Sequence, residues 1–392
     1  MDAIRPFKFN IFPSLILLFV ILYMGQGFLY PVGTLLPKIS FFSFVVSTII
    51  LIITSIKYSD FKISLFRYFS FFIILNTLYF SISVLYEYDD LKFRFFRSTL
   101  FTLLSFFVGY YLSLKFKIKP KTLIALFVIL LVFAITNFIG QRDINEDIGV
   151  LQNNAVYGVV MLFPFLFLIK NKLISLVLMS IMYFPVIGSL KRGGIITGSI
   201  LLLVNMFYLI FNSVNYSKLA ARDFKRLLIF ILIIFIIIYF FDEIFSNEVL
   251  ITRFNNIEDD RGSQREYIFK EIFFGWLNFD NIFHFLFGYG FLGSLLFTID
   301  STAHNDFIEV ISNFGILGMI ILLGIWYGLF KLIRNKNCDI TSRYVVASVF
   351  LAWVIDSQFQ QFYNSLYSFS MMFILGFVVG KEKYGILYGK RQ

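Results

Sequence analysis

The chain has 392 residues, of which 59% are hydrophobic and 15% are charged, and its formal net charge is +10. A soluble domain is roughly 45–50% apolar and about 25% charged, so this chain has too few polar residues to cover a water-soluble globule. The composition excludes a string of soluble domains and a disordered chain. The single cysteine, Cys338, excludes an internal disulfide framework.

Apolar segments of about 20 residues, each long enough to cross a bilayer core, recur along the chain. They are apolar on every side, as in LLIFILIIFIIIYF (227–240), whereas barrel strands alternate apolar and polar residues, so we predict helices. The predicted fold is an all-α polytopic membrane protein whose single transmembrane domain covers residues 1–392. About twelve spans are predicted, near 9–29, 35–56, 67–86, 98–114, 122–140, 153–169, 173–190, 194–212, 227–242, 306–330, 344–358 and 365–380.

The connections between these spans carry unequal charge on the two sides of the membrane. With the N-terminus inside, the inside segments hold 23 of the 34 basic residues but five of the 24 acidic residues. By the positive-inside rule this asymmetry predicts that both termini are cytoplasmic. The basic character of the chain therefore indicates membrane topology, and no nucleic-acid partner is predicted.

One loop, residues 244–303, is much longer than the others and is predicted to lie outside. Both histidines of the chain, His284 and His304, lie in it or directly after it. Within the loop, the spacing of apolar residues in 264–287 predicts one amphipathic helix at the membrane interface, with Trp276 at that depth. Its polar stripe would contain Glu266, Lys270, Asn281 and His284, and we interpret His284 as a solvated surface residue.

Motifs of several enzyme classes are missing from the sequence. There is no GxxxxGK[ST] phosphate-binding loop and no GxSxG nucleophile elbow. Two histidines and one cysteine do not supply the three or four close ligands of a zinc site. The acidic run Glu258-Asp259-Asp260 could hold a divalent cation through oxygen atoms, but such a run is more typical of a solvated loop. We predict no metal and no cofactor.

Basic residues where spans meet the outer surface are the best candidates for chemistry. Arg192 precedes two glycines that let a ligand approach the backbone, and its planar fork suits a phosphate or pyrophosphate. An ordinary interfacial arginine would look the same. His304 lies just before a helix, whose positive end favours the neutral imidazole that can act as a base. Asn305 and Asp306 are good helix N-caps.

Five motifs occur in an order that resembles the O-antigen polymerase and O-antigen ligase superfamily. They cover roughly residues 150–330, and the first 150 residues match only as a hydrophobic bundle. Three positions depart from the family pattern. The serine before the turn arginine is replaced, giving Leu190-Lys191-Arg192, and Ile268 replaces an aromatic residue. Phe307 stands where leucine is usual, with Ile308 one residue later. The motifs are QNNAVYG (152–158), KRGG (191–194), SQREYIF (263–269), FGYGFLGS (287–294) and HNDFIEVISNFGILG (304–318).

This resemblance implies a GT-C-like glycosyltransferase in the bacterial inner (cytoplasmic) membrane, with no metal or cofactor. We expect a polymerase that transfers the growing glycan from undecaprenyl pyrophosphate onto a lipid-linked repeat unit at the periplasmic face. Its partners would be that lipid-linked glycan, as donor and acceptor, the bilayer and a chain-length regulator protein. The resemblance implies catalytic roles for His304, Arg265 and Arg192, and substrate contacts for Lys191, Asn305, Asn154, Arg261 and Glu309.

Two other functions stay open at this point. A ligase of the same superfamily transfers the glycan to lipid A core, and the sequence separates it poorly from a polymerase. A flippase or transporter for the same lipid-linked sugars belongs to another class, in which charged or broken-helix sites lie near the bilayer midplane. Asp356 is the clearest charged residue within the spans, and a polar crevice near the end of its span accounts for it.

Overall fold

The computed structural model describes residues 11–26, 28–30, 34–86, 89–147, 153–211, 265–278, 281–298 and 302–387, which are mostly helical and contain no β-strand. The predicted span 227–242 and the first part of the long loop lie outside the described residues. The α-helices are α1 (Ile11–Met24), α2 (Leu35–Thr54), α3 (Ser64–Tyr86), α4 (Asp90–Leu114), α5 (Pro120–Asp147), α6 (Val156–Val160), α7 (Lys172–Gly188), α8 (Arg192–Phe211), α9 (Arg265–Leu277), α10 (Ile282–Phe287), α11 (Asp306–Arg334), α12 (Ile340–Asp356) and α13 (Phe369–Leu387).

Several of these helices have the length and composition of membrane spans. Among the described residues, six are long and apolar enough to cross a bilayer, which agrees with a helical multi-pass membrane protein. The total of twelve spans and the orientation of the termini stay predictions. The six segments are Leu35–Thr54, Ser64–Tyr86, Asp90–Leu114, Pro120–Arg142, Arg192–Leu209 and Asp306–Arg334.

Helices α4 and α13 make the closest helix contact in the bundle, and glycines make it possible. A Cβ on Gly109 would overlap the carbonyl oxygen of Phe373, and one on Gly376 would overlap that of Phe106. Four residues further along α13, a Cβ on Gly380 would likewise overlap a backbone carbonyl oxygen of α4. Small residues at this spacing let two helix backbones touch in a membrane, where burying apolar surface gives little driving force for association.

The span predicted at 153–169 is not a continuous α-helix. It consists of the short helix α6 and a 3₁₀ turn, Phe163–Leu168. Pro164 has no N–H to donate and interrupts the regular bonding, and the hydroxyl of Ser370 donates to the freed carbonyl of Met161 at 3.0 Å. Irregular backbone at membrane depth is tolerated where protein surrounds it, and this segment is almost entirely buried.

The single amphipathic helix predicted over 264–287 was wrong. The described residues form two helices, α9 and α10, and Asn281 has an extended backbone between them. Its side-chain oxygen accepts the N–H of Phe283 at 2.9 Å, so Asn281 is the N-cap of α10 and does not extend a polar stripe. Trp276 is buried and stacks on Phe285 at 4.9 Å, so this part of the apolar side faces protein.

Helix α11 is kinked at Gly315, where φ is +63°. The segment after α10 lies against the kink, and the N–H groups of Tyr289 and Gly290 donate to the carbonyls of Ser312 (2.8 Å) and Asn313 (3.1 Å). A Cβ on Gly315 would lie 2.5–2.6 Å from the backbone of Leu286 and Gly288, so only glycine fits. The kink therefore docks the long loop onto the first turns of α11.

The contact between α4 and α13 can be tested with Gly376→Ala. The added methyl group has to push two backbones apart, so we expect a loss of about 1–3 kcal/mol in unfolding free energy, seen as a lower thermal unfolding midpoint in detergent. Gly140→Ala in α5 is the matched control, because a Cβ there meets nothing within 4 Å. Equal midpoints for the two variants would contradict this packing.

Candidate functional site

Two turns that precede helices and the first residue of a third helix bring together basic side chains and a histidine at one end of the bundle. Lys191 lies in the turn before α8, Arg265 begins α9, and His304 lies just before α11. The positive charges of Arg265 and Lys191 both act on the imidazole of His304. Residues separated by more than 100 positions in the sequence thus share one electrostatic environment.

His304 sits in a strained turn. Its φ is +48°, in the left-handed region that non-glycine residues seldom adopt. Leu190, directly before Lys191, has a φ of +51°, and Leu292 in the docked loop has a φ of +59°. Such residues cost about 1–3 kcal/mol each and persist only where the surrounding structure enforces them, often near functional sites.

The surroundings of His304 keep its imidazole neutral. Part of His304 is exposed, but packing around its ring removes water. This desolvation is the main cause that lowers the pKa of His304 below its ordinary value. The guanidinium of Arg265 and the ammonium of Lys191 lower the pKa further. At neutral pH the ring is therefore able to accept a proton.

Arg192 begins α8, and the first turn of this helix packs against a buried hydroxyl. A Cβ on Gly193 would overlap the hydroxyl oxygen of Tyr157 and would lie 2.8 Å from the Cβ of Phe359. Tyr157 is 2% exposed, and its hydroxyl has no hydrogen-bond partner among the described residues. Arg265 also acts electrostatically on this hydroxyl. The glycine therefore lets Tyr157 and Phe359 pack directly against the start of α8. The QNNAVYG motif contains Tyr157, but nothing in the sequence indicated that its hydroxyl would lie at this helix.

Three buried carboxyl groups connect the elements around Lys191 and His304. Asp306 accepts hydrogen bonds from the indole N–H of Trp353 (2.7 Å) and the N–H of Phe362 (2.8 Å). Asp356 accepts from the hydroxyl of Thr197 in α8 at 2.6 Å and from Gln360 at 3.3 Å. The ends of α8, α11 and α12 are therefore connected through carboxylate oxygens that water does not reach.

Glu309, the third of these groups, holds the histidine turn against the docked loop. Its oxygens accept hydrogen bonds from Ser294 (2.8 Å), Asn313 (3.4 Å) and the N–H of Ala303, the residue before His304. The side chain is fully buried. In this structure Glu309 positions the turn, and the contact with substrate expected from the sequence stays a prediction.

The remaining predicted residues occupy different environments. Asn305 caps α11 as expected, since its side-chain oxygen accepts the N–H groups of Phe307 (2.9 Å) and Ile308 (3.2 Å). Asp306 does not cap the helix, because its carboxylate points to Trp353 and Phe362. Asn154 is exposed beside the KRGG turn, whereas the buried Asn153 makes the structural bonds there. Arg261 and the acidic run at 258–260 lie outside the described residues.

Neither a family model nor a curated protein matches this chain. A functional interpretation therefore depends on the motif resemblance and on the geometry of the site. That geometry supplies two cations and a neutral imidazole around a turn, a guanidinium at the start of α8, and an unpartnered buried hydroxyl beside it. Such a set can bind anionic oxygens and accept a proton from a hydroxyl group.

Chemical modification can test the electrostatic coupling directly. In a His284→Gln background, His304 is the only imidazole of the chain, and diethyl pyrocarbonate reacts with its neutral form. We expect the modification rate to rise with pH through an inflection below about 6.5. Arg265→Ala should move the inflection to higher pH, because one positive charge that disfavours protonation is gone.

Lys270→Ala is the control for this experiment. Lys270 lies on the same helix as Arg265 but is exposed and paired with Glu266 at 2.6 Å. Its removal deletes one charge and should leave the inflection unchanged. If Arg265→Ala also leaves the inflection unchanged, Arg265 does not control the protonation of His304.

Proposed function

We propose that the protein is a membrane glycosyltransferase that polymerises a lipid-linked surface polysaccharide, with His304 as the base. The proposal is carried by the strained turn that places His304 within electrostatic range of Arg265 and Lys191, whose charges lower the pKa of its imidazole. A general base has to be unprotonated at the working pH, and a lipid pyrophosphate donor needs fixed positive charge. Both requirements are met within one cluster of side chains.

The proposed reaction joins two lipid-linked glycans. The oxygen of an acceptor sugar hydroxyl bonds to the anomeric carbon of the donor glycan, and the bond from that carbon to the pyrophosphate oxygen breaks. The hydroxyl proton passes to the free ring nitrogen of His304. Undecaprenyl pyrophosphate leaves with the electron pair of the broken bond, and the growing chain stays on the carrier of the acceptor.

Charge at the site favours the leaving group more than the intact donor. Negative charge grows on the pyrophosphate oxygen as the bond breaks, so preorganised cations stabilise the transition state more than the ground state. Arg265 and Lys191 supply this charge next to His304, and Arg192 adds a planar fork that suits two phosphate oxygens.

A deletion strain tests the proposed function against its alternatives. If the protein is a polymerase, gel electrophoresis of surface lipopolysaccharide should show lipid A core that carries a single repeat unit. A ligase would leave naked core with polymer still on the carrier. Repeat units trapped on the inner leaflet would indicate a flippase, and either of these two outcomes would overturn the proposal.

The role of His304 can be tested with purified protein and with lipid-linked repeat units extracted from that deletion strain. A positioned base contributes about 10²–10⁴-fold, so His304→Ala should slow chain extension by that factor. His304→Gln retains hydrogen bonding but accepts no proton near neutral pH, so it should be nearly as slow. The assay follows polymer length with time, with chelator present.

His284→Gln provides the matched control, since the same substitution is made at the only other histidine. His284 stacks on Tyr289 at 4.3 Å, and its replacement should retain most activity. Full activity of His304→Gln would show that the histidine only orients substrate. Loss of wild-type activity on chelation would instead bring forward the acidic residues 258–260 as a metal site.

A further inference from the structure

A cavity lies at the opposite end of α11 from His304. It has a volume of about 580 Å³ and opens between the start of α3 and the last turns of α11. Gly328 allows the two helices to approach there, since a Cβ on it would lie 3.1 Å from Leu65. The cavity shares no lining residue with the site around His304.

The polar rim of this cavity is positively charged. Lys62, Lys331 and Arg334 line it, and its lining contains no acidic residue. All three cations are exposed, and none makes an ion pair within the described part of the chain. Asp60 accepts the backbone N–H of Lys62 and is itself paired with Lys383 at 2.8 Å. Because the ion pair with Lys383 offsets the negative charge of this carboxylate, the rim keeps a net positive charge.

An apolar surface leads away from the rim along the membrane-spanning part of α11. Ile320, Leu323, Tyr327 and Phe330 are all exposed, and their spacing of three and four residues places them on one side of the helix. Tyr327 and Phe330 also line the cavity, and Arg334 lies over the ring of Phe330 at 5.5 Å. The cavity therefore joins a positive rim to a lipid-facing hydrocarbon surface.

We infer that this cavity binds the headgroup of an anionic phospholipid, with its acyl chains along the exposed side of α11. Three cations that make no ion pair within the described residues match a phosphodiester that carries a net negative charge. A zwitterionic lipid would place its own ammonium group among them. The charge distribution of the sequence predicts that this end faces the cytoplasm, where basic cavities between membrane helices meet anionic headgroups.

The inference can be tested by native mass spectrometry of the full-length protein in detergent, with added dioleoylphosphatidylglycerol or dioleoylphosphatidylcholine. Wild type should retain the phosphatidylglycerol preferentially. A basic side chain near an anionic lipid surface changes affinity by about fivefold, so Lys62→Ala/Lys331→Ala/Arg334→Ala should weaken phosphatidylglycerol binding roughly 100-fold. Binding to phosphatidylcholine should change little.

A matched control removes three other exposed charges from the same predicted face, by Lys119→Ala/Lys121→Ala/Lys336→Ala. This variant should keep the lipid preference, and Lys62→Arg/Lys331→Arg/Arg334→Lys should keep it as well, because the charges remain. Equal retention of the two lipids by wild type would overturn the inference, as would equal losses in the two alanine variants. So would full displacement of phosphatidylglycerol by equimolar glycerol phosphate, which would mark a site for free phosphate.

Discussion

A carboxyl group buried in the bundle has to find hydrogen-bond donors inside the protein, and this requirement shapes the site. Asp306, Glu309 and Asp356 lie at or near helix ends and are fully buried. Each accepts at least two hydrogen bonds from the described residues. The donors come from distant parts of the chain. The hydrogen bonds to the three carboxyl groups therefore also fix how α8, α11, α12 and the docked loop meet.

These bonds explain how the strained turn of His304 is maintained. Glu309 holds the N–H of Ala303, and the side chain of Asn305 holds the first N–H groups of α11, so His304 is confined between two fixed residues. The same carboxylate reaches Ser294 in the docked loop, next to Gly293. A local backbone cost of about 1–3 kcal/mol is thus offset by hydrogen bonds that cannot form elsewhere.

Glycine has two different structural roles in this protein. In α4 and α13 it removes side-chain bulk so that helices touch, which gives the bundle a rigid centre. At Gly315 it supplies a positive φ that turns α11 and admits the loop backbone. Further along α11, Gly324 and Gly328 pack closely against Tyr68 and Leu65 of α3. Nothing in the sequence indicated that Gly315 bends the helix.

The sequence by itself determined that this is a helical membrane protein, because long apolar runs have no other stable form in lipid. It also selected Lys191, Arg265 and His304 through the order of short motifs, and Asn305 as a cap through its position before a helix. Only the tertiary structure decided that these side chains act on one another and that Tyr157 stands beside them. It also decided that the helices predicted over 153–169 and 264–287 are each interrupted. Pro164 and the N-cap Asn281 interrupt them through hydrogen bonding that helical periodicity does not reveal. The physical reason is that periodicity records which residues avoid water, whereas a site depends on donors and acceptors brought together from distant turns.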